Sequence, residues 1–214
     1  MRPTPFVPLA LAAAFSFLAP VAGASGVDSD WILKALARPA PMGTQFVEVR
    51  ASALLKDPLR LSGEYRRPDN DTLVREVRAP YRETTTIRAG QASIARDGKP
   101  PRTFSLSRVP ELASLQNSFG ALLTGDRVQL ERTYTLTAQG VRERWSLTLA
   151  PKDKALAARV RDITLYGQGV ELRCIETRPA KGDLQRTLLA SAALAVTPTT
   201  DAKAMETLCR TGAK

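Results

Sequence analysis

The sequence predicts a mainly β fold with helices: one large curved antiparallel sheet, covered by a helical segment and preceded by a short amino-terminal helix. Two observations carry this expectation. Residues alternate with period two from 44 to 106 and again from 126 to 175, with turn residues punctuating both stretches. Between them, over 110–125, Leu112, Leu115, Phe119 and Leu122 recur at steps of three and four, and Leu123 widens the stripe. One amphipathic helix therefore interrupts a sheet. It either packs on one face simply to close a core or serves as a movable lid over an apolar cavity.

The chain begins with Arg2, an apolar run over 6–18, and Ala22, Gly23 and Ala24, the pattern of a secretory signal peptide cleaved after Ala24. Residues 1–24 are thus read as the signal and 25–214 as a single domain, about 190 residues being ample for one core. No other stretch approaches the ~20 apolar residues a spanning helix needs. No cysteine follows the cleavage site, so a lipid anchor on a new amino-terminal cysteine is not expected.

The mature chain opens with a helix over 28–37, capped by Asp28 or Ser29, with Trp31, Ile32, Ala35 and Leu36 on its apolar face and Arg38 and Pro39 as its stop. Strand one covers 44–51 and its partner 59–66, where Leu59, Leu61, Gly63 and Tyr65 face one way and Arg60, Ser62, Glu64 and Arg66 the other. That alternation suits a sheet wet on one side. Short strands follow over 72–78, 82–88, 91–95 and 102–106, separated by turns at Pro68, Pro80, Gly90 and Gly98. After the helix, a long strand is expected over 127–137 with Val128, Leu130, Arg132, Tyr134 and Leu136 on one face. Gln139 and Gly140 then turn the chain into 142–149, and strands over 160–166 and 170–177 pair around Gly167 and Gly169. The strands read as a meander in which each feeds the next. About nine or ten such strands form a sheet that curls, either closing or wrapping around something. Residues 187–196 read equally as a short helix or a final strand, and the tail from 197 is polar.

Lys and Arg number 31 against 21 Asp and Glu, a net charge of +10. The excess favours anionic partners. Neither a basic helix nor aromatic residues interleaved with arginines point to nucleic acid. An anionic lipid headgroup or a peripheral membrane contact suits an exported chain better, beside the plain alternative of an Arg-rich solvated sheet face. The two cysteines, Cys174 and Cys209, are expected to pair in an oxidising compartment and pin the tail to the last strand. Two cysteines without a histidine cannot make an ordinary zinc site, so no metal is implied.

Chemistry leaves few marks. Without histidine there is no Ser-His-Asp or Cys-His arrangement, and no nucleotide-binding glycine motif is present. No catalytic residue and no cofactor are implied. Glu48, Glu64, Glu76 and Glu83 recur among arginines on alternating strands, as cross-strand ion pairs do.

An exported chain with an amino-terminal helix, an antiparallel meander and a helix inserted halfway resembles the periplasmic lipoprotein carriers of the LolA type. The local motifs are Phe46-Val47-Glu48 at the first strand and the run from Gly63 to Arg67-Pro68. The spacing to that Arg-Pro pair is two residues shorter than in the carriers, which places the chain nearer their divergent relatives. The resemblance implies an open, incomplete barrel whose concave apolar face is covered by helices. It also implies a latch role for Arg67, the arginine before the proline, which holds the lid shut when the carrier is empty. The lipid-binding face would then comprise Leu61 and Tyr65 on the sheet and Leu112, Leu115, Phe119, Leu122 and Leu123 on the lid.

The resulting expectation is a monomeric periplasmic carrier of acyl lipid or lipoprotein. It would move cargo from an inner-membrane donor protein to an outer-membrane acceptor. The alternatives are a lipid-sensing adaptor on the same fold and an enzyme enclosing a hydrophobic substrate.

Overall fold

A computed structural model describes residues 26–50, 58–106, 121–122 and 124–211. The expected signal peptide and most of the expected lid, including Leu112, Leu115, Phe119 and Leu123, lie outside the described residues.

The first helix, α1 (Ser29–Leu36), starts where Asp28 accepts a hydrogen bond from the Trp31 amide at 2.7 Å. It buries Ile32, Leu33 and Leu36. Six strands follow: β1 (Met42–Arg50), β2 (Leu59–Arg67), β3 (Thr72–Ala79), β4 (Glu83–Arg88), β5 (Gln91–Arg96) and β6 (Lys99–Ser105). The chain next becomes describable at the end of the expected lid, where residues 121, 122 and 124 are helical. The Asp126 amide donates to the Ala121 carbonyl at 2.8 Å and the Gly125 amide to Leu122 at 3.3 Å, the paired bonds of a Schellman stop. Gly125 has φ +71° there, and a Cβ on it would lie 3.1 Å from the Leu33 carbonyl of α1. The helix end is thus docked against α1.

From here the chain departs from the expected long strand. Residues Arg127–Thr133 form a helix, α2, and the strand β7 (Tyr134–Val141) begins only afterwards. Asp126 decides the matter: its carboxylate caps the new helix by accepting from the Gln129 amide at 2.9 Å. Leu130 and Tyr134 are both fully buried, four residues apart on one helical face, while Val128 is 66% exposed. The four-residue spacing of Leu130 and Tyr134 fits either period, whereas Val128 and Leu130 share a face only in a strand. The turn after β7 also sits later than expected, with β8 (Arg144–Pro151) leaving only residues 142–143 as the loop. Gly140 belongs to the strand, opposite Trp145, and has φ +96°; a Cβ there would lie 2.3 Å from the Arg144 carbonyl.

A short helix, α3 (Lys154–Ala157), precedes β9 (Val160–Gln168) and β10 (Glu171–Pro179). The ambiguous segment resolves into both alternatives, β11 (Gln185–Leu189) followed by α4 (Ala190–Leu194). The tail is ordered as α5 (Ala202–Arg210), which the Cys174–Cys209 disulfide joins to β10.

All eleven strands form one antiparallel sheet in the order β6-β5-β4-β3-β2-β1-β11-β10-β9-β8-β7. This is two meanders joined where β1 pairs with β11, rather than the single meander expected. β6 and β7 are therefore opposite edges, unpaired with one another, and the sheet is an open half-barrel.

Each face has its own core. On the inner face, α1, the lid's end and α2 pack with Trp145, Leu147, Leu149 and Leu165, and Phe46, Leu61, Val77 and Leu189 continue the apolar surface across the middle strands. On the outer face, α4 and α5 cover Val47, Val49, Leu188 and Cys174. The middle of the sheet is therefore dry on both sides, where a wet outer face was expected.

Candidate functional site

A cavity of about 410 Å³ opens at one end of the inner face, where β1, β2, β10 and β11 meet the ends of α1 and the lid. Its apolar wall includes Leu36, Met42, Leu73, Leu122, Ile175 and Leu189. Each element delivers its side chain by ordinary periodicity. Leu36 closes the last turn of α1, Ile175 faces inward from β10 beside Leu165 of β9, and Leu189 pairs with Phe46 across the β1–β11 seam. Such a volume and lining fall in the range of small-molecule and lipid pockets.

The rim is cationic. Arg38, Arg66 and Arg67 line it, opposed by Glu171. Arg67 is only 6% exposed although it closes a strand. Its Nη1 donates to the Arg38 carbonyl at 2.9 Å and its Nη2 to Asn70 Oδ1 at 3.3 Å. Arg38 continues the chain of contacts: Nη1 donates to the carbonyls of Ala35 and Ala37 at the end of α1, and Nη2 reaches Val170 O at 2.9 Å in the β9–β10 turn. Two guanidinium groups thereby tie α1 to strands on both sides of the mouth, a use of several planar donors that lysine could not copy.

Below the cavity the inner face holds a buried charge pair. Glu48 is 4% exposed, and Arg75 donates to its Oε2 at 2.8 Å while Arg50 donates to Oε1. Arg75 also lies 4.9 Å over the Phe46 ring, whose centroid is 4.7 Å from that of Tyr65. Burial pushes the Tyr65 hydroxyl above the usual tyrosine range, and the Arg75 charge offsets part of that push. Tyr65 therefore stays protonated at neutral pH and offers a neutral O–H at the cavity wall. The recurring carboxylates are paired as expected: Glu64 with Arg78, Glu76 with Arg66 and Arg78, and Glu83 with Arg96.

Of the residues expected to form the site, Tyr65, Arg67 and Leu122 meet at this cavity. Leu61 is on the same face but fully packed against Phe46, Val77 and Leu189, so it supports the wall without lining it. The partner found for Arg67 is the α1 end, and the lid segment it was expected to hold lies outside the described residues. Sequence reading missed Arg38, taken only as a helix stop, and the cavity roles of Met42, Ile175 and Leu189. For Ile175 and Leu189 the inward register could be known only once the β1–β11 pairing was known. Among the described residues no group of three or more acidic or cysteine side chains could hold a metal ion, and no helix is long and apolar enough to cross a membrane.

The family described as "Outer membrane lipoprotein carrier protein LolA-like" matches residues 21–212 of this chain. A comparison with curated proteins finds no match. Among solved structures, a LolA superfamily protein from Nitrosomonas europaea is similar with a TM-score of 0.39 and 10% identity, over 77% of this chain and 92% of that one. The complex of MucA and MucB from Pseudomonas aeruginosa gives 0.38 and 17%, covering 75% of this chain and 54% of the other. LprF from Mycobacterium bovis gives 0.34 and 13%, over 79% and 94% of the two chains.

Proposed function

Because this chain belongs to the LolA-like family of outer membrane lipoprotein carrier proteins, we propose that it is a periplasmic carrier that shelters the acyl chains of a lipid or lipoprotein in the cavity beside α1 and moves them toward the outer membrane. The observation that carries the reading is the cavity itself, apolar within and arginine-rimmed, at the open end of a half-barrel. Each buried methylene contributes about 0.8 kcal/mol, so eight of them hold a chain by about 6 kcal/mol before the cost of ordering it. The rim arginines suit an anionic headgroup or a carboxylate. Residues 1–24 act as the export signal and 25–214 as the single carrying domain. An inner-membrane donor and an outer-membrane acceptor complete the route.

Release needs a closed state that competes with cargo. In this reading Arg67 and Arg38 stabilise that state by holding α1, and with it the lid end seated on Leu33, over the mouth. Arg67→Leu should speed hydrogen exchange in α1 and at 121–126 and slow the hand-over of cargo; unchanged exchange and transfer would remove the latch. Carriage is tested by mass spectrometry of a solvent extract of protein purified from its native envelope without detergent. Acyl lipid at near-stoichiometric yield is expected, and an extract free of lipid from protein that also fails to take up added lipid would refute the proposal.

A further inference from the structure

On the outer side of the sheet, at the same end as the mouth, lies a second concavity of about 250 Å³. The loop between β7 and β8, the end of β9 with Arg173 of β10, and the end of α5 enclose it, and Arg144, Arg173, Arg210 and Thr211 are among its walls. We propose that this pocket is an oxyanion site that receives a phosphate group.

The charge state of its arginines carries the inference. Arg210 is already neutralised, donating to Glu176 at 3.0 Å and to Glu206 at 2.5 Å. Arg173 is not: among the described residues its Nη1 donates only to the neutral oxygens of Gln168 at 3.3 Å and Ser191 at 3.1 Å, and its Nε is buried without an acceptor. The side chain of Arg144, exposed beside it, has no ion pair or hydrogen bond among the described residues. Glu143 is the one carboxylate lining the pocket and makes no ion pair with either arginine among the described residues. Two guanidinium groups without acid partners at one concavity repel each other, and a bound oxyanion turns that repulsion into attraction. The planar fork of arginine matches the paired oxygens of a phosphate, and a partly enclosed pocket strengthens each charge-assisted bond over its value in water.

The position adds a geometric link. The β9–β10 hairpin contributes to both concavities, with Gly167, Gln168 and Arg173 lining the second one and Val170, 57% exposed, standing at the cavity rim. Ser191, which accepts from Arg173, donates in turn to Glu171 of the cavity lining. A phosphate held by Arg144 and Arg173 therefore lies beside the mouth without entering it. The site is made of residues that acyl carriage does not use and binds whether or not the cavity is filled. A phospholipid headgroup and free phosphate present the same chemistry to it.

The test uses the full folded chain with its disulfide intact, at low ionic strength. Inorganic phosphate is titrated calorimetrically, and in parallel the protein is sedimented with vesicles of phosphatidylcholine alone or mixed with phosphatidylglycerol. Saturable binding is expected in at least one arm, weakened about tenfold or more by Arg144→Gln and by Arg173→Gln and retained by Arg102→Gln on the distant β6. Arg144 is exposed, so its variant reads the site without disturbing the core. Binding in the vesicle arm alone identifies the headgroup as the source, and binding of phosphate alone identifies the free anion. Absence of binding in both arms, or equal loss in all three variants, overturns the proposal, the latter by showing that diffuse positive charge is responsible.

Discussion

The two wings of the sheet are held by different forces. In the wing from β7 to β10, Trp145, Leu147, Leu149 and Leu165 are buried against α1 and α2. In the wing from β3 to β6, the buried hydrophobic side chains among the described residues are Val77, Ala92 and, directly after β6, Leu106, and β3 is tied to β2 by ion pairs such as Glu64 with Arg78 and Glu76 with Arg66. Burial of a leucine contributes about 1.5–3 kcal/mol, whereas an exposed ion pair contributes about 0–1 kcal/mol. One wing is thus a finished core and the other a polar shelf of lower local stability. The cavity lies at the seam between them.

The largest effect that would sharpen this contrast comes from the disulfide, which fastens α5 behind the apolar wing. Closing a loop with a sequence separation of 35 stabilises by about 3–4 kcal/mol in the chain-entropy model. Replacing both Cys174 and Cys209 by alanine should lower the denaturation midpoint accordingly, and an unchanged midpoint would show that α5 is held by its packing alone. Next in size is the direct comparison of the wings. Leu147→Ala should cost about 2–5 kcal/mol, and Ile94→Ala on the shelf about 1 kcal/mol, both from equilibrium unfolding. Equal costs would erase the distinction.

A smaller effect separates the wings by pH. Glu176, 2% exposed on the outer face of β10, receives Arg186 and Arg210. Burial pushes its carboxyl up, but the hydrogen bonds and charges of the two arginines outweigh that push and hold it below the ordinary glutamate value. A lowered folded value stabilises the protein fully above the unfolded glutamate pKa of about 4.3, and the contribution disappears as pH falls through the folded value below it. Unfolding midpoints measured from neutral pH down through that window should fall less steeply for Glu176→Gln than for the wild type. Parallel curves would assign the acid sensitivity to other groups.

The apolar wing was also the more legible in the sequence. Trp145, Leu147 and Leu149 alternate as a half-buried strand must, and Ile32 and Leu36 announced the face of α1. Leu61 was placed correctly on the inner face because its neighbours Arg60 and Ser62 differ so clearly from it in polarity. At Leu130 and Tyr134 the signal failed, because a spacing of four fits both periods and the cap at Asp126 breaks the tie. Strand order was beyond local pattern altogether. The β1–β11 pairing brings together residues 46 and 189, and no periodicity within either strand reports it. That pairing is what carries Leu189 and Ile175 to the cavity, so the site was legible only on its β2 side, at Tyr65 and Arg67, and at Leu122 on the lid.

Entry of acyl chains into the cavity at the seam is the central proposal for this protein, and binding of a fluorescent fatty acid tests it most directly. Met42→Arg places a charge on the partly exposed cavity wall, while Leu194→Arg alters an outer-face leucine that is 76% exposed. Both variants should remain folded, which circular dichroism and unfolding midpoints will verify. The prediction is micromolar binding by the wild type and by Leu194→Arg, with at least about a tenfold loss in Met42→Arg, the charge costing more than one buried methylene group can return. Equal binding by all three proteins would contradict the account, since the chain would then lie somewhere other than the cavity beside α1.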